Sequence, residues 1–332
     1  MTSLLEVDGL HVWFDLPRSS NQRGGQVHAV QGVSFELQPG ERFGLVGESG
    51  CGKTTTILAL MGLLPPNAAL AGEVRLNGTN ILAGGEDSVR QYRWKDIAMV
   101  FQGAMNALNP VKKVGWQIAE PMAFHGVAEG KAALRRAGEL LELVGIPAKS
   151  AERYPHEFSG GMRQRASIAM ALACEPKILL ADEPTTALDV MVQAQILELL
   201  TRLADELGLG VILVTHDLPV VAQMCDRAAV MYAGEIAETG AMETLFHNPQ
   251  HPYTRLLFAA TPDLYGQQVV TSIPGSPPRL DREITGCPFR QRCDVPMDRC
   301  AHEHPRLRQL GSGHLAACHR AEAHSDDLAE AK

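Results

Sequence analysis

Gly47-Glu48-Ser49-Gly50-Cys51-Gly52-Lys53-Thr54 decides the fold of this chain. A glycine, four residues, a second glycine, a lysine and a hydroxyl residue make a loop whose backbone N–H groups curl around phosphate oxygens. In that geometry Lys53 reaches the terminal phosphates and the Thr54 hydroxyl ligates Mg²⁺, so a nucleoside triphosphate is the first ligand to consider. The flanks come in the required order. Arg42-Phe43-Gly44-Leu45-Val46 reads as a short apolar strand entering the loop, and Thr55-Thr56-Ile57-Leu58-Ala59-Leu60-Met61 as a helix leaving it. The loop N–H groups and the positive end of that helix then point at one place.

The chain has 332 residues, 45% of them hydrophobic, which suits one large α/β domain with a smaller appendage. A net charge of −8 gives no general nucleic-acid-binding surface. No run approaches the roughly 18 uninterrupted apolar residues of a spanning helix. The start, Met1-Thr2-Ser3-Leu4-Leu5-Glu6, lacks the basic residues of a secretory signal, so a cytosolic chain is expected.

Leu4 to Phe14 and Val27 to Leu37 read as an antiparallel strand pair, separated by the polar loop Pro17 to Gly25. Gly72-Glu73-Val74-Arg75-Leu76-Asn77-Gly78 reads as another strand and turn. From about Pro110 to Ile146 the pattern turns helical, with Leu134, Ala137, Leu140, Leu141 and Val144 recurring on one face. Ile178-Leu179-Leu180-Ala181 and Val211-Ile212-Leu213-Val214 read as fully buried parallel strands. Asp182 and Glu183 follow the first of these and His216 the second, at the carboxyl edge where open α/β sheets bind ligands. One carboxylate can hold Mg²⁺ and its neighbour can activate water.

Ser159-Gly160-Gly161-Met162-Arg163-Gln164-Arg165, placed ahead of the Ile178 strand, resembles the signature motif of ABC-type ATPases. Gln102 in Val100-Phe101-Gln102, Asp189 in Ala187-Leu188-Asp189, and His216 match the other elements of that family. The resemblance implies an α/β fold: an ABC-type P-loop ATPase core over 1–240, with an antiparallel β subdomain and a helical subdomain at about 103–170. A small cysteine-containing extension would occupy 241–332. It also implies a head-to-tail dimer in which Ser159, Gly160 and Gly161 close in trans on ATP held by Gly47, Glu48, Ser49, Gly50, Cys51, Gly52, Lys53, Thr54 and Thr55 of the other subunit. Thr54, Gln102 and Asp182 would organise Mg²⁺, Glu183 would position and deprotonate the attacking water, and His216 would contact the γ phosphate. Phe14 is the choice for stacking on adenine, with Trp13 as the alternative. Departures are few: Phe158 stands where leucine often opens the signature, and Gly103-Ala104 follows Gln102 where Asp-Pro is frequent.

Phe246-His247-Asn248-Pro249-Gln250-His251-Pro252-Tyr253-Thr254-Arg255-Leu256-Leu257 resembles the motif of ATPase subunits of oligopeptide and dipeptide importers. The match continues through Pro274-Gly275-Ser276-Pro277-Pro278. It implies a peripheral subunit at the cytoplasmic face of the membrane that works with a second ATPase subunit and two transmembrane permease subunits. Solute would be delivered by a substrate-binding protein, and no nucleic acid is involved. The helical insert after Gln102 would receive a short permease helix. The alternative is a soluble ABC ATPase acting on nucleic acid or translation; that class usually fuses two cassettes, and this chain has one. Dipeptides, longer peptides, nickel chelates and oligosaccharides all remain open as solutes.

Four of the seven cysteines, Cys287, Cys293, Cys300 and Cys318, lie near the C-terminus with gaps of five, six and 17 residues. That spacing leaves zinc, a [4Fe–4S] cluster and no metal all open, while disulfides are disfavoured in cytosol. Resemblance to peptide-importer relatives implies the cluster, with zinc as the alternative, and a redox-sensing role is compatible with it. His302, His304, His314 and His319 could compete as ligands, with solvated tail histidines as the favoured reading. Cys51, Cys174 and Cys225 read as structural.

Overall fold

The structure, a computed structural model, describes residues 3–17, 25–103, 107–186, 188–260 and 272–321. Residues 18–24 of the expected polar loop, Ala104 and Ala187 lie outside them. The chain divides into two compact units, the first formed by 1–37, 43–82 and 215–332, the second by 38–42 and 83–214.

The first unit begins with β1 (Leu5–Asp15), β2 (Gln26–Leu37), β3 (Arg42–Val46), α1 (Lys53–Leu60), β4 (Ala68–Leu76) and β5 (Thr79–Asn80). An antiparallel sheet runs β2-β1-β4-β5, and the expected β1–β2 pairing is present, with Leu5 opposite Leu37. Leu5, Val7, Leu10 and Val12 are all buried although strict alternation would turn Leu10 outward. A register shift between Val7 and Leu10 restores the apolar face. At that point β4 crosses so closely that a Cβ on Gly72 would lie 2.3 Å from the Gly9 carbonyl oxygen. β4 starts at Ala68, earlier than Gly72. Its alanines have weak strand preference, and pairing with Trp13 and Phe14 of β1 recruits them.

The second unit contains α2 (Gly85–Arg90), β6 (Ile97–Val100), α3 (Val114–Phe124), α4 (Gly130–Leu143), α5 (Gly160–Ala171), β7 (Ile178–Asp182), α6 (Val190–Leu207) and β8 (Gly210–Thr215). The strands are parallel, Ile97 beside Ile178 and Ile178 beside Gly210, and buried throughout, as their unbroken apolar runs require. The helical stretch is two helices, separated at Gly126 and Gly130, both at positive φ. Leu134 is 42% exposed, and the buried stripe of α4 is instead Ala133, Ala137, Leu140 and Leu141, continued by Val144. An alanine at the start of the stripe is a weaker hydrophobic signal than the leucine beside it.

The chain then returns to the first unit through α7 (Leu218–Met224), β9 (Arg227–Tyr232), β10 (Glu235–Ala241), α8 (Met242–His247), α9 (Pro252–Ala259), β11 (Arg308–Gly311) and β12 (His314–Ala316). Within this unit the strand order is β11-β12-β10-β9-β3, with β3 parallel to β9 and the others antiparallel. The C-terminal hairpin therefore extends the sheet that carries β3. Among the described residues no helix is long and apolar enough to cross a membrane.

β3 lies under α7 with no room for a side chain at Gly44, where a Cβ would stand 2.4 Å from Val221 Cγ1. Gly44→Ala is expected to cost about 1–3 kcal/mol through overpacking, read as a lower thermal unfolding midpoint.

Candidate functional site

β3 delivers the chain at Val46 into a loop with positive φ at Gly47, Gly50 and Gly52. The Lys53 ammonium group is buried and donates to the carbonyls of Gly47 (2.7 Å) and Glu48 (2.9 Å), which hold it over the loop. Cys51 is buried and its carbonyl accepts from the Gly234 N–H (3.0 Å). Burial pushes its thiol pKa up, against the opposing pull of Lys53, as suits a packing residue. The first turn of α1 has no acidic residue, so the positive helix end is left for an anion. Glu48 does more than the sequence indicates. Its N–H donates to the Tyr253 hydroxyl (2.9 Å), and its carboxylate accepts two hydrogen bonds from Arg292 (2.6 and 2.8 Å).

In the second unit β7 ends on Asp182, which is buried, and Glu183 follows at φ 42° with its N–H bonded to Val214 O (2.8 Å). A left-handed glutamate costs roughly 1–3 kcal/mol, and such strain collects at functional positions. Its carboxylate accepts from Gln102 Nε2 (2.7 Å) and from the Thr186 hydroxyl (2.9 Å). Gln102 lies just beyond β6, so parallel pairing of β6 with β7 brings two of the expected residues together. Thr186 was not foreseen. Its only sequence signal is its place three residues after Glu183, where the turn bond from Thr186 N to Glu183 O (3.1 Å) folds it back.

The signature residues open α5. Ser159 caps it, its hydroxyl accepting from Met162 N (3.3 Å), and no acidic residue occupies the first turn. Gly161 has no space for a Cβ, which would meet Val192 Cγ1 of α6 at 2.8 Å. Asp189 is the N-cap of α6, accepting from Val192 N (3.0 Å). In the first unit His216 is exposed just after β8, in a turn fixed by Asp217, which caps α7. Phe14 is half-buried on β1 between Val27 and Ala68, as is Trp13 beside it.

The four C-terminal cysteines are free thiols. Cys287 N donates to Cys300 O (2.9 Å). Burial pushes the Cys287 thiol up to about 12, with Cys300, Cys318 and Cys293 adding to the rise, while the Phe289 N–H opposes it. Backbone N–H donors also reach Cys293, from Val295, and Cys318, from Arg320 and Ala321. Three of the histidines named as competing ligands are engaged elsewhere: His304 with Glu235 (2.8 Å), His314 with Glu238 (2.7 Å) and His319 with Glu303 O (3.0 Å). Among the described residues no group of three or more His, Cys, Asp or Glu forms a site for a metal ion.

A phosphate loop after a central strand, a glycine-opened signature helix and a carboxylate at a parallel-sheet edge define an ATP-hydrolysing ABC cassette. Residues 30–186 match the ABC transporter family, and residues 237–300 match the family described as oligopeptide/dipeptide transporter, C-terminal region. The chain is 47% identical over 324 residues to the dipeptide transport ATP-binding protein DppD of Bacillus subtilis, covering 96% of this chain and 95% of that one. It is 45% identical over 320 residues to the oligopeptide transport ATP-binding protein OppD of Escherichia coli, covering 95% and 93%. A solved dimeric post-hydrolysis structure of the ATP-binding cassette MJ0796 with ADP and Pi aligns with a TM-score of 0.62 and 29% identity, over 72% of this chain and 98% of that one. The chain belongs to the ATP-binding subunits of the oligopeptide/dipeptide branch of ABC transporters.

The segment that braces the loop carries a pH dependence. His251 is buried and its Nδ1 accepts the Tyr253 N–H (3.0 Å) at the start of α9. Burial lowers its pKa to about 4. The unfolded chain takes up this proton near pH 6.5 and the folded chain only near 4, so the stability present above 6.5 is lost as pH falls through that window, up to about 3 kcal/mol. Unfolding midpoints followed from about pH 7.5 to 4.5 should fall less steeply in His251→Asn than in the unmodified chain.

Proposed function

We propose that this chain dimerises on ATP and powers the uptake of peptides, or a related solute, through separate membrane-spanning subunits. The observation that carries this reading is its near full-length similarity to the DppD and OppD ATP-binding proteins, whose names specify dipeptide and oligopeptide transport. It follows that the chain sits peripherally on the cytoplasmic face of the membrane, beside a second ATPase subunit. A groove of about 360 Å³ in the second unit, lined by Arg90, Arg93, Trp94, Gln117, Phe124 and His125, supports docking of a short permease helix. Phe124 is 66% exposed there, a large apolar surface that suits the apolar face of an amphipathic helix, with Glu120 beside it on the rim.

The roles follow residue by residue. Lys53 and the N–H groups from Gly50 to Thr55 hold the β and γ phosphates. Thr54, Gln102 and Asp182 offer the oxygen donors that suit Mg²⁺, and Gln102 spends its amide N–H₂ on Glu183, which leaves its carbonyl oxygen for the ion. When bound, Mg²⁺ neutralises the charge that develops on the phosphates. Glu183 orients and deprotonates water, its carboxylate kept in place by Gln102 and Thr186. His216 contacts the γ phosphate and Phe14 stacks on adenine. Ser159, Gly160 and Gly161 present the positive end of α5 to nucleotide on the second subunit, and the dimeric likeness with ADP and Pi supports this.

Cys287, Cys293, Cys300 and Cys318 are the proposed ligands of a [4Fe–4S] cluster. Cys300, Cys318 and Cys293 all act on the Cys287 thiol, and the resemblance to peptide-importer ATPase subunits supports a [4Fe–4S] cluster, with zinc as the alternative. When bound, the cluster supplies a cross-link between chain segments. Protein purified anaerobically should carry iron and acid-labile sulfide, both lost in Cys300→Ser; a wild-type preparation without iron would refute the assignment.

Glu183→Gln should keep ATP binding while turnover falls at least about a hundredfold and a closed dimer accumulates; unchanged turnover contradicts the role of Glu183 as base. Lys53→Ala should instead weaken nucleotide binding. The transport reading predicts co-purification with two membrane proteins and ATP turnover stimulated by a peptide-loaded binding protein. Stimulation by ribosomes or nucleic acid instead would sink it.

A further inference from the structure

Glu48 places a carboxylate in the first half of a loop built to receive a polyanion. The structure meets that conflict with Arg292. Nη1 and Nη2 bond the two carboxylate oxygens of Glu48 at 2.6 and 2.8 Å, and Nε donates to Pro274 O at 2.8 Å. The Arg292 side chain is 3% exposed, with its guanidinium 5.7 Å from the Tyr232 ring centre and 5.9 Å from that of Phe289. The two partners are 244 residues apart in sequence. Arg292 closes a single helical turn, Arg290–Arg292, between Cys287 and Cys293. A second tether joins the same loop residue, since the buried Tyr253 hydroxyl accepts the Glu48 N–H at 2.9 Å.

We propose that Arg292 is a positioning residue for ATP: it neutralises Glu48 and pins the start of the phosphate loop, so that nucleotide affinity depends on the cysteine-bearing extension. The proposal rests on the ATP site described above. A planar fork is the chemistry this task requires, because it fixes both carboxylate oxygens at once. Lysine would keep the charge and lose the geometry. Without Arg292 the Glu48 charge is left unneutralised in the phosphate loop, and one of the two tethers on the loop is gone.

The test uses the full chain, MgATP titrations for Kd and steady-state turnover for the split between KM and kcat. Arg292→Ala should raise Kd and KM about tenfold, with kcat changed less than about threefold, and Arg292→Lys should fall between it and the wild type. Glu48→Gln/Arg292→Ala should recover at least half of the lost affinity on a logarithmic scale, since the repelling carboxylate is gone. A role confined to holding the extension together would give no such recovery. The proposal is overturned if Arg292→Ala binds ATP as well as the wild type, or if the double variant binds no better than Arg292→Ala. Should Arg292→Ala fail to fold, judged by its melting curve without nucleotide, Arg292→Lys carries the test: about threefold or greater loss of affinity supports the proposal, and wild-type affinity overturns it.

Discussion

The first unit depends on a backbone turn so closely surrounded that it excludes side chains. A Cβ on Gly47 would come within 2.3 Å of Met231 O, and one on Gly52 within 2.4 Å of Ala29 O. The walls of the phosphate loop are therefore main-chain atoms at the end of β9 and within β2, and the loop keeps its shape only while β3 keeps its register, Val46 beside Val230. Two hydrogen bonds lace the parts together: Gln31 N donates to Gly234 O at 2.8 Å, and Gly234 N to Cys51 O at 3.0 Å. Ala233 and Gly234 adopt positive φ to make the turn that permits both. Curling N–H groups inward toward an anion thus fixes three strands and a hairpin turn.

What could be read from the sequence is what local pattern controls. The phosphate loop, the flanking strand and helix, the buried parallel strands and the carboxylates at the end of β7 all follow from spacing within about ten residues. Misreadings arise where a weak local signal competes with tertiary contact. Ala133 takes the buried place that the pattern assigns to Leu134, and the alanines at the start of β4 become strand because β1 lies beside them. The single helical stretch breaks in two where Gly126 and Gly130 adopt positive φ. Thr186 holds Glu183 by virtue of a turn that leaves almost no pattern, and Arg292 reaches Glu48 across 244 residues with no pattern at all.

The histidines of the C-terminal region show the same limit. From sequence they read either as competing ligands or as solvated tail histidines. In the structure His304 bonds Glu235 and Gly286 O, His314 bonds the fully buried Glu238, and His319 bonds Glu303 O. Glu238 also accepts from the N–H groups of Gln250 and His251 (2.7 and 2.9 Å), just ahead of α9. These imidazoles and carboxylates join β10, the hairpin β11–β12 and the segment that leads to Tyr253. They serve as fasteners.

The Arg292–Glu48 pair is harder to justify as a fastener. Removing two charges from water costs about as much as their attraction returns, so a well-packed apolar pair would secure the extension equally well. The aromatic contacts already do so: Tyr232, Tyr253 and Phe289 lie with ring centres 4.7 to 5.4 Å apart. What no apolar residue can do is cancel a carboxylate next to a polyanion site while fixing where that carboxylate points. A buried arginine with a bidentate partner does both, and its Nε–H, given to Pro274 O, ties the same group to the extension. The pair is therefore best understood as a constraint on the shape and charge of the loop, imposed from the far end of the chain.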